Sequence, residues 1–167
     1  MDNTYFMGRA LALAENALAH NEFPVGCVIV HNDRILATGA RTGSSGPRPN
    51  EIDHAEMVAL RRLSVLPQAQ TPEKLRLFCT LEPCLMCFGA ILLSGIGEIV
   101  YAYEDVMGGG TACQTDTLTP LYRDHKISII AHIQRQASLK LFQAFFANTD
   151  NHYWQDSLLA RYTLAQK

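Results

Sequence analysis

The chain has 167 residues, 48% of them hydrophobic, with 14 Lys and Arg against 16 Asp and Glu and a formal net charge of −2. This composition excludes a disordered polar chain and gives no overall attraction for a polyanion, while the length suits one core, predicting a single domain over residues 1–167. Five cysteines is an odd number; Cys27 and Cys79 lie inside apolar strand-like runs and read as buried free thiols of a reducing compartment.

In chain order, Phe6, Ala10, Leu13, Ala14 and Ala17 recur at helical spacing and predict an opening helix, with Asp2, Asn3 or Thr4 as its cap. Arg9, Glu15 and Asn16 interrupt this apolar segment, so it reads neither as a secretory leader nor as a membrane span, and a cytoplasmic protein is expected. After a break at Phe23-Pro24, strands are predicted from Val25 to His31 and from Arg34 to Gly39, turning tightly at Asn32-Asp33. A loop from Ala40 to Asp53 leads to a helix opened by His54, with Met57, Leu60 and Leu63 on its apolar side. The remaining expectations are a strand at Leu75 to Thr80, a helix at Cys84 to Ser94 and a strand at Glu98 to Tyr103. A flexible glycine turn at Gly108 to Gly110 follows, then a strand at Ile127 to Ile133 and helices at Ser138 to Ala147 and Tyr153 to Gln166. Strands interleaved with helices after an antiparallel hairpin predict an α/β fold, a three-layer α/β/α sandwich on a five-stranded mixed sheet. Ligands in such sheets collect beyond the carboxyl ends of the strands.

Two motifs carry chemistry. His54-Ala55-Glu56 and Pro83-Cys84-Leu85-Met86-Cys87 supply one imidazole and two thiols. Three zinc ligands leave a fourth tetrahedral position for water, the arrangement of a catalytic rather than a structural site, so one Zn2+ per chain is expected on His54, Cys84 and Cys87. With Pro83 opening the second helix, Cys84 and Cys87 at i and i+3 share a face, and the helix start favours thiolates. Glu56 is the candidate proton carrier. A lone C-x-x-C would read as a redox pair or half of a structural site, and the other histidines, His20, His31, His125, His132 and His152, have no ligand-like spacing to the motif. The combined order of the two motifs is the signature of zinc nucleobase deaminases.

Pro24-Val25-Gly26, His54-Ala55-Glu56 and Thr80 to Cys87 together resemble the cytidine deaminase superfamily, in the branch holding bacterial tRNA adenosine deaminases, guanine deaminase and fungal-type cytosine deaminase. The resemblance implies hydrolytic deamination with Glu56 shuttling protons, a homodimer, and substrate contacts at Val25, Gly26, Arg41, Asp53, Ala55, Glu82, Pro83 and Asp105. The chain departs from the tRNA-acting pattern in three places. Arg41 stands where those enzymes usually carry a base-binding asparagine, Asp53 replaces a small neutral residue, and Glu104-Asp105-Val106-Met107 replaces Arg-Asp-x-Lys. Asp53 also reads as a helix N-cap. Both basic residues of that last motif are gone, and phosphate binding rests on such residues; Arg123, His125, Lys126, Arg135 and Lys140 read as solvated surface. The expected substrate is therefore a small nucleobase or nucleoside, the alternative is the wobble adenosine of tRNA, and a non-catalytic zinc partner subunit ranks last because Glu56 is present. Phe145-Phe146 reads as core, and the segment 148–167, with Tyr153-Trp154 and Tyr162, as a lid or a dimer element.

Overall fold

The computed structural model describes residues 2–67 and 71–167. Helix α1 (Asn3–Ala19) is capped by Asp2, whose side chain accepts from the Tyr5 amide at 2.9 Å. Strands β1 (Gly26–His31) and β2 (Arg34–Ala40) form a hairpin in which Asn32 and Asp33 both have positive φ, the geometry that a two-residue turn of this twist demands. Helix α2 (Ala55–Ser64), strand β3 (Arg76–Leu81), helix α3 (Leu85–Leu93) and strand β4 (Glu98–Tyr103) follow. A short helix α4 (Pro120–Arg123), strand β5 (Ser128–Ile130) and helices α5 (Arg135–Ala147) and α6 (Leu158–Ala165) complete the order.

The five strands form one sheet in the order β2-β1-β3-β4-β5, with β1 antiparallel to both neighbours and β3, β4 and β5 parallel. Alternation sorts the side chains. Val28, Val30, Phe78, Val100 and Ala102 meet Phe6, Met7, Ala10 and Leu11 of α1, and α5 lies beside that helix. Cys27, Ile29, Leu77, Cys79 and Ile99 instead meet Ala55 and Ala59 of α2 and Phe88 and Ile91 of α3. This is the expected sandwich, buried from both sides. Among the described residues, no helix is long and apolar enough to cross a membrane.

Several element ends differ from the sequence reading. Strand β5 covers three residues rather than seven, because the positive φ of His132 and Gln134 breaks the extended run, although the Ile133 amide still donates to the Tyr101 carbonyl of β4 at 3.2 Å. Helix α5 begins three residues earlier than expected, at Arg135. The terminal helix is shorter than Tyr153 to Gln166, since Ser157 caps it by accepting from the Ala160 amide and leaves Tyr153 and Trp154 in the preceding turn. Gly108 to Gly110 is not a loose turn: Gly109 bridges to Cys84, and the Gly110 amide donates to the Pro83 carbonyl at 2.8 Å.

Arg135, expected on the solvated surface, instead clamps Glu104 at the end of β4. Its Nε donates at 2.8 Å and its Nη2 also binds the carboxylate, while Tyr162 of α6 donates a third bond at 2.7 Å. Partial burial pushes this carboxyl up, but the Arg135 and Tyr162 bonds outweigh it and hold the pKa at about 2. A carboxylate depressed in the folded state stabilises the fold above its unfolded pKa and loses that contribution as pH falls through the folded value. Glu104→Gln should therefore lower the melting temperature at neutral pH. It should also remove the part of the acid destabilisation that falls between the ordinary value of 4.5 and about 2, read as Tm against pH for both proteins.

Candidate metal centre and active site

Two helix starts converge at one end of the sheet. His54 and Cys84 are the N-cap residues of α2 and α3, both in extended backbone, so neither lies within its helix as the sequence suggested; Cys87 sits on the first turn of α3. The convergence needs close approach. A Cβ at Gly39 would lie 1.9 Å from the Ala55 carbonyl oxygen, and one at Gly110 would lie 2.6 Å from the Leu85 amide, so only glycine lets β2 and the loop after β4 press against the two helix starts.

The donors fit a zinc ion. His54 Nδ1 lies 3.6 Å from Cys84 Sγ and 3.6 Å from Cys87 Sγ, and all three ligand atoms are within 4.8 Å of one another. Tetrahedral bonds of about 2.3 Å to sulfur and 2.0–2.1 Å to nitrogen would place nitrogen and sulfur about 3.5 Å apart. Among the described residues this is the one such group, so no other histidine joins it. The Cys84 thiol is brought down to about 4, first by the Cys87 thiol that donates to it and then by His54, while the Cys84 sulfur and burial push Cys87 up. The arrangement thus favours the thiolate at Cys84, the form a metal requires. Glu51 Oε2 stands 3.9 Å from the outer nitrogen of His54. Glu56 is 3% exposed, and burial pushes its carboxyl up.

Beside these donors lies a cavity of about 140 Å³, close to the volume that admits a benzene-sized ring. Of the residues singled out in the sequence, Val25, Arg41, His54, Ala55, Glu56, Glu82, Cys84 and Asp105 line it. Gly26, Asp53 and Pro83 do not. Gly26 is wedged against α1, where a Cβ would meet the Ala10 carbonyl at 2.1 Å, and Pro83 is held by Gly110. The Asp53 carboxylate binds Arg61 and the Asn50 amide, and it caps no helix. Glu82 bonds the Asp105 and Thr111 amides and the Thr111 hydroxyl, bracing the loop after β4. One Asp105 oxygen likewise accepts from the Met107 and Gly108 amides, and burial pushes its carboxyl up.

Arg41 is 2% exposed. Its guanidinium donates to the carbonyls of Thr42 and Asp53 and to Tyr153 Oη at 3.2 Å, and pairs with Glu51 at 3.5 Å. Tyr153 in turn donates to Glu51 at 2.9 Å and rests its ring against Phe23. Phe23, Glu51, Met107, Tyr153, Trp154 and Leu159 also form cavity walls. Glu51 was missed because a lone loop carboxylate carries no periodic signal; Tyr153 and Trp154 were visible only as aromatics in a tail.

Residues 1–103 match the family model described as the zinc-binding region of cytidine and deoxycytidylate deaminases. The chain belongs to this family. It is a zinc-dependent hydrolytic deaminase with donors for one zinc ion. A tRNA-specific adenosine deaminase of Streptococcus pyogenes is 33% identical over 147 residues, covering 87% of this chain and 90% of that one. A solved tRNA:A34 deaminase shares 28% identity at a TM-score of 0.68, over 83% of this chain and 99% of that one. The guanine deaminase of Nitrosomonas europaea, at 21% identity and TM-score 0.69 over 88% of this chain and 86% of that one, shares the fold.

If the three donors act together, Cys84→Ser and His54→Ala should each take zinc from one per chain to substoichiometric by elemental analysis. Cys113→Ser, an exposed thiol outside the donor group, should leave it unchanged.

Proposed function

We propose that the protein hydrolytically deaminates an amine-bearing nucleobase, presented as free base or nucleoside, with Glu56 as proton carrier. One observation carries the substrate class: the walls are rich in acceptors and poor in free cations. Glu51, Glu56, Glu82 and Asp105 share the wall with Arg41, which among the described residues is the one Lys or Arg there and is already engaged by Glu51, Tyr153 and two carbonyls. A neighbouring groove of about 850 Å³ shares Glu51, Tyr153 and Trp154 with the cavity and has no Lys or Arg among its described walls. It offers room for a sugar, and the basic groups near it are His152 in the wall and Arg48 between the wall residues Pro47 and Pro49, too few to neutralise several phosphates. The tail segment 148–167 acts as a lid through Tyr153 and Trp154. Exposed Leu85, Leu93 and Leu121 support self-association of the chain as a dimer.

His54, Cys84 and Cys87 hold the metal in this reading. Zinc supplies the lowered pKa of a bound water, bringing it from about 15.7 to about 7. The buried Glu56 carboxylate, beside the donors, would carry the two protons of that water in turn, the first to the ring nitrogen as the C–O bond forms and the second to the amine, which leaves as ammonia as the C–N bond breaks. The aromatic walls exclude bulk water, and the free Asp105 oxygen and Glu51 accept hydrogen bonds from N–H groups of the base. Glu56→Ala should keep fold and zinc yet lose about 100-fold or more in kcat; near-normal turnover of a zinc-loaded variant would assign the proton work elsewhere.

A second reading, the wobble adenosine of tRNA, is supported by the 33% identity to the Streptococcus pyogenes enzyme. Substrate and salt separate the two. Ammonia release from free bases and nucleosides should be nearly flat between low and physiological salt, with tRNA neither substrate nor competitor. Conversion of a tRNA anticodon adenosine, steeply salt-dependent and without activity on any base or nucleoside, would establish the second reading instead.

A further inference from the structure

Glu51, Tyr153 and Trp154 line both the cavity and the neighbouring groove, so these three side chains form the partition between the two spaces. The cavity suits a single ring of about benzene size. A nucleoside adds a sugar of similar bulk, and the space that could house it is the groove on the far side of the partition. Whether the partition opens therefore decides between a free base and a nucleoside.

Arg41 ties the partition from the cavity side. Its amide donates to the Val25 carbonyl at 2.9 Å, and its Nη1 donates to the Thr42 and Asp53 carbonyls at 3.0 and 3.2 Å, which fixes the direction of the buried guanidinium. The other arm, Nη2, donates to Tyr153 Oη at 3.2 Å and stands 3.5 Å from Glu51 Oε2, the atom to which Tyr153 Oη donates at 2.9 Å. One hydroxyl thus bridges a cation and a carboxylate, the stronger kind of hydrogen bond. The guanidinium carbon also lies 5.7 Å from the centre of the tyrosine ring. From the tail side, Asn151 holds the Tyr153 backbone, accepting from its amide at 2.9 Å and donating to its carbonyl at 3.2 Å. The Tyr153 ring meets Phe23 and Trp154 edge-on, with centroids 5.3 and 5.7 Å away, so a tie at the hydroxyl also holds the tryptophan.

We propose that Arg41 is a positioning residue that sets specificity: acting through the Tyr153 hydroxyl, it keeps the partition of Tyr153 and Trp154 shut and confines the substrate to the free nucleobase. This inference rests on the reading of the cavity as a nucleobase site. Trp154 is the single tryptophan of the chain, so its fluorescence reports the partition directly. The test compares zinc-loaded wild type, Tyr153→Phe, Arg41→Met and the double variant on cytosine, adenine and guanine, each beside its ribonucleoside, together with acrylamide quenching of Trp154. Wild type should favour the free base over its nucleoside by about 100-fold or more in kcat/KM. Hydrogen bonds to charged groups correspond to roughly tenfold or more each, so each single variant should narrow that ratio about tenfold through a gain on nucleosides, with Trp154 more readily quenched. The double variant should narrow it no further, because both changes cut one link. Should Arg41→Met fail to fold, Tyr153→Phe, which removes one oxygen, decides. A purely structural loss lowers turnover of base and nucleoside alike; an unchanged ratio in Tyr153→Phe, unaltered quenching, or a wild type that accepts nucleosides as readily as bases would each overturn the inference. Deamination of a tRNA adenosine with none of any base or nucleoside would instead remove the nucleobase reading of the cavity, a separate result that takes this inference with it.

Discussion

Everything functional in this molecule depends on bringing the N-caps of two helices to one point at the end of the sheet. A helix start is constrained because its first amides need partners and its dipole presents positive charge. Two starts placed together favour thiolate and carboxylate nearby, and His54, Cys84, Cys87 and Glu56 occupy that place. Backbone approaches at Gly39 and Gly110 make the meeting sterically feasible. The loop from Arg41 to Asp53 is fixed separately, by Glu22. Its carboxylate accepts from the Gly43 and Ser44 amides at 3.0 and 2.7 Å, while Ser44 Oγ accepts from the Phe23 amide at 2.7 Å.

The metal donors and the sandwich were legible in the sequence because each rests on local periodicity: two spacings for the site, alternating and helical patterns for the elements. Strand β5 was read too long, since the run from Ile127 to Ile133 is apolar enough for a strand and only the positive φ of His132 and Gln134 ends it. Asp53 illustrates the harder limit. Its position before His54 suggested a cap or a substrate contact, yet its partners, Arg61 and Asn50, are chosen by how the loop folds back on α2. Glu51, Tyr153 and Trp154 become cavity walls only through contacts between segments about a hundred residues apart, which no window of sequence displays.

The chain's departures from its tRNA-acting relatives form a connected set rather than scattered changes. Arg41 supplies a buried cation that recruits Glu51 from the loop and Tyr153 from the tail, and Tyr153 carries Trp154 to the rim. Phe23 anchors the same tail from below, through edge contacts with Phe142, Phe145, Phe146 and Tyr153. A buried residue of the cavity wall thus anchors the C-terminal segment beside the cavity.

Glu104 gives this set a direction. It stands where the tRNA-acting pattern places an arginine, and its carboxylate is the common acceptor for α5, through Arg135, and for α6, through Tyr162. Restoring a cation at that position would set two guanidinium groups face to face and leave the Tyr162 hydroxyl without its acceptor, loosening the helix that contributes Leu159 to the cavity wall. The Glu104 carboxylate is thus part of the scaffold that ties α5 and α6 to the end of β4, so a change of charge at this corner is also a change in folding.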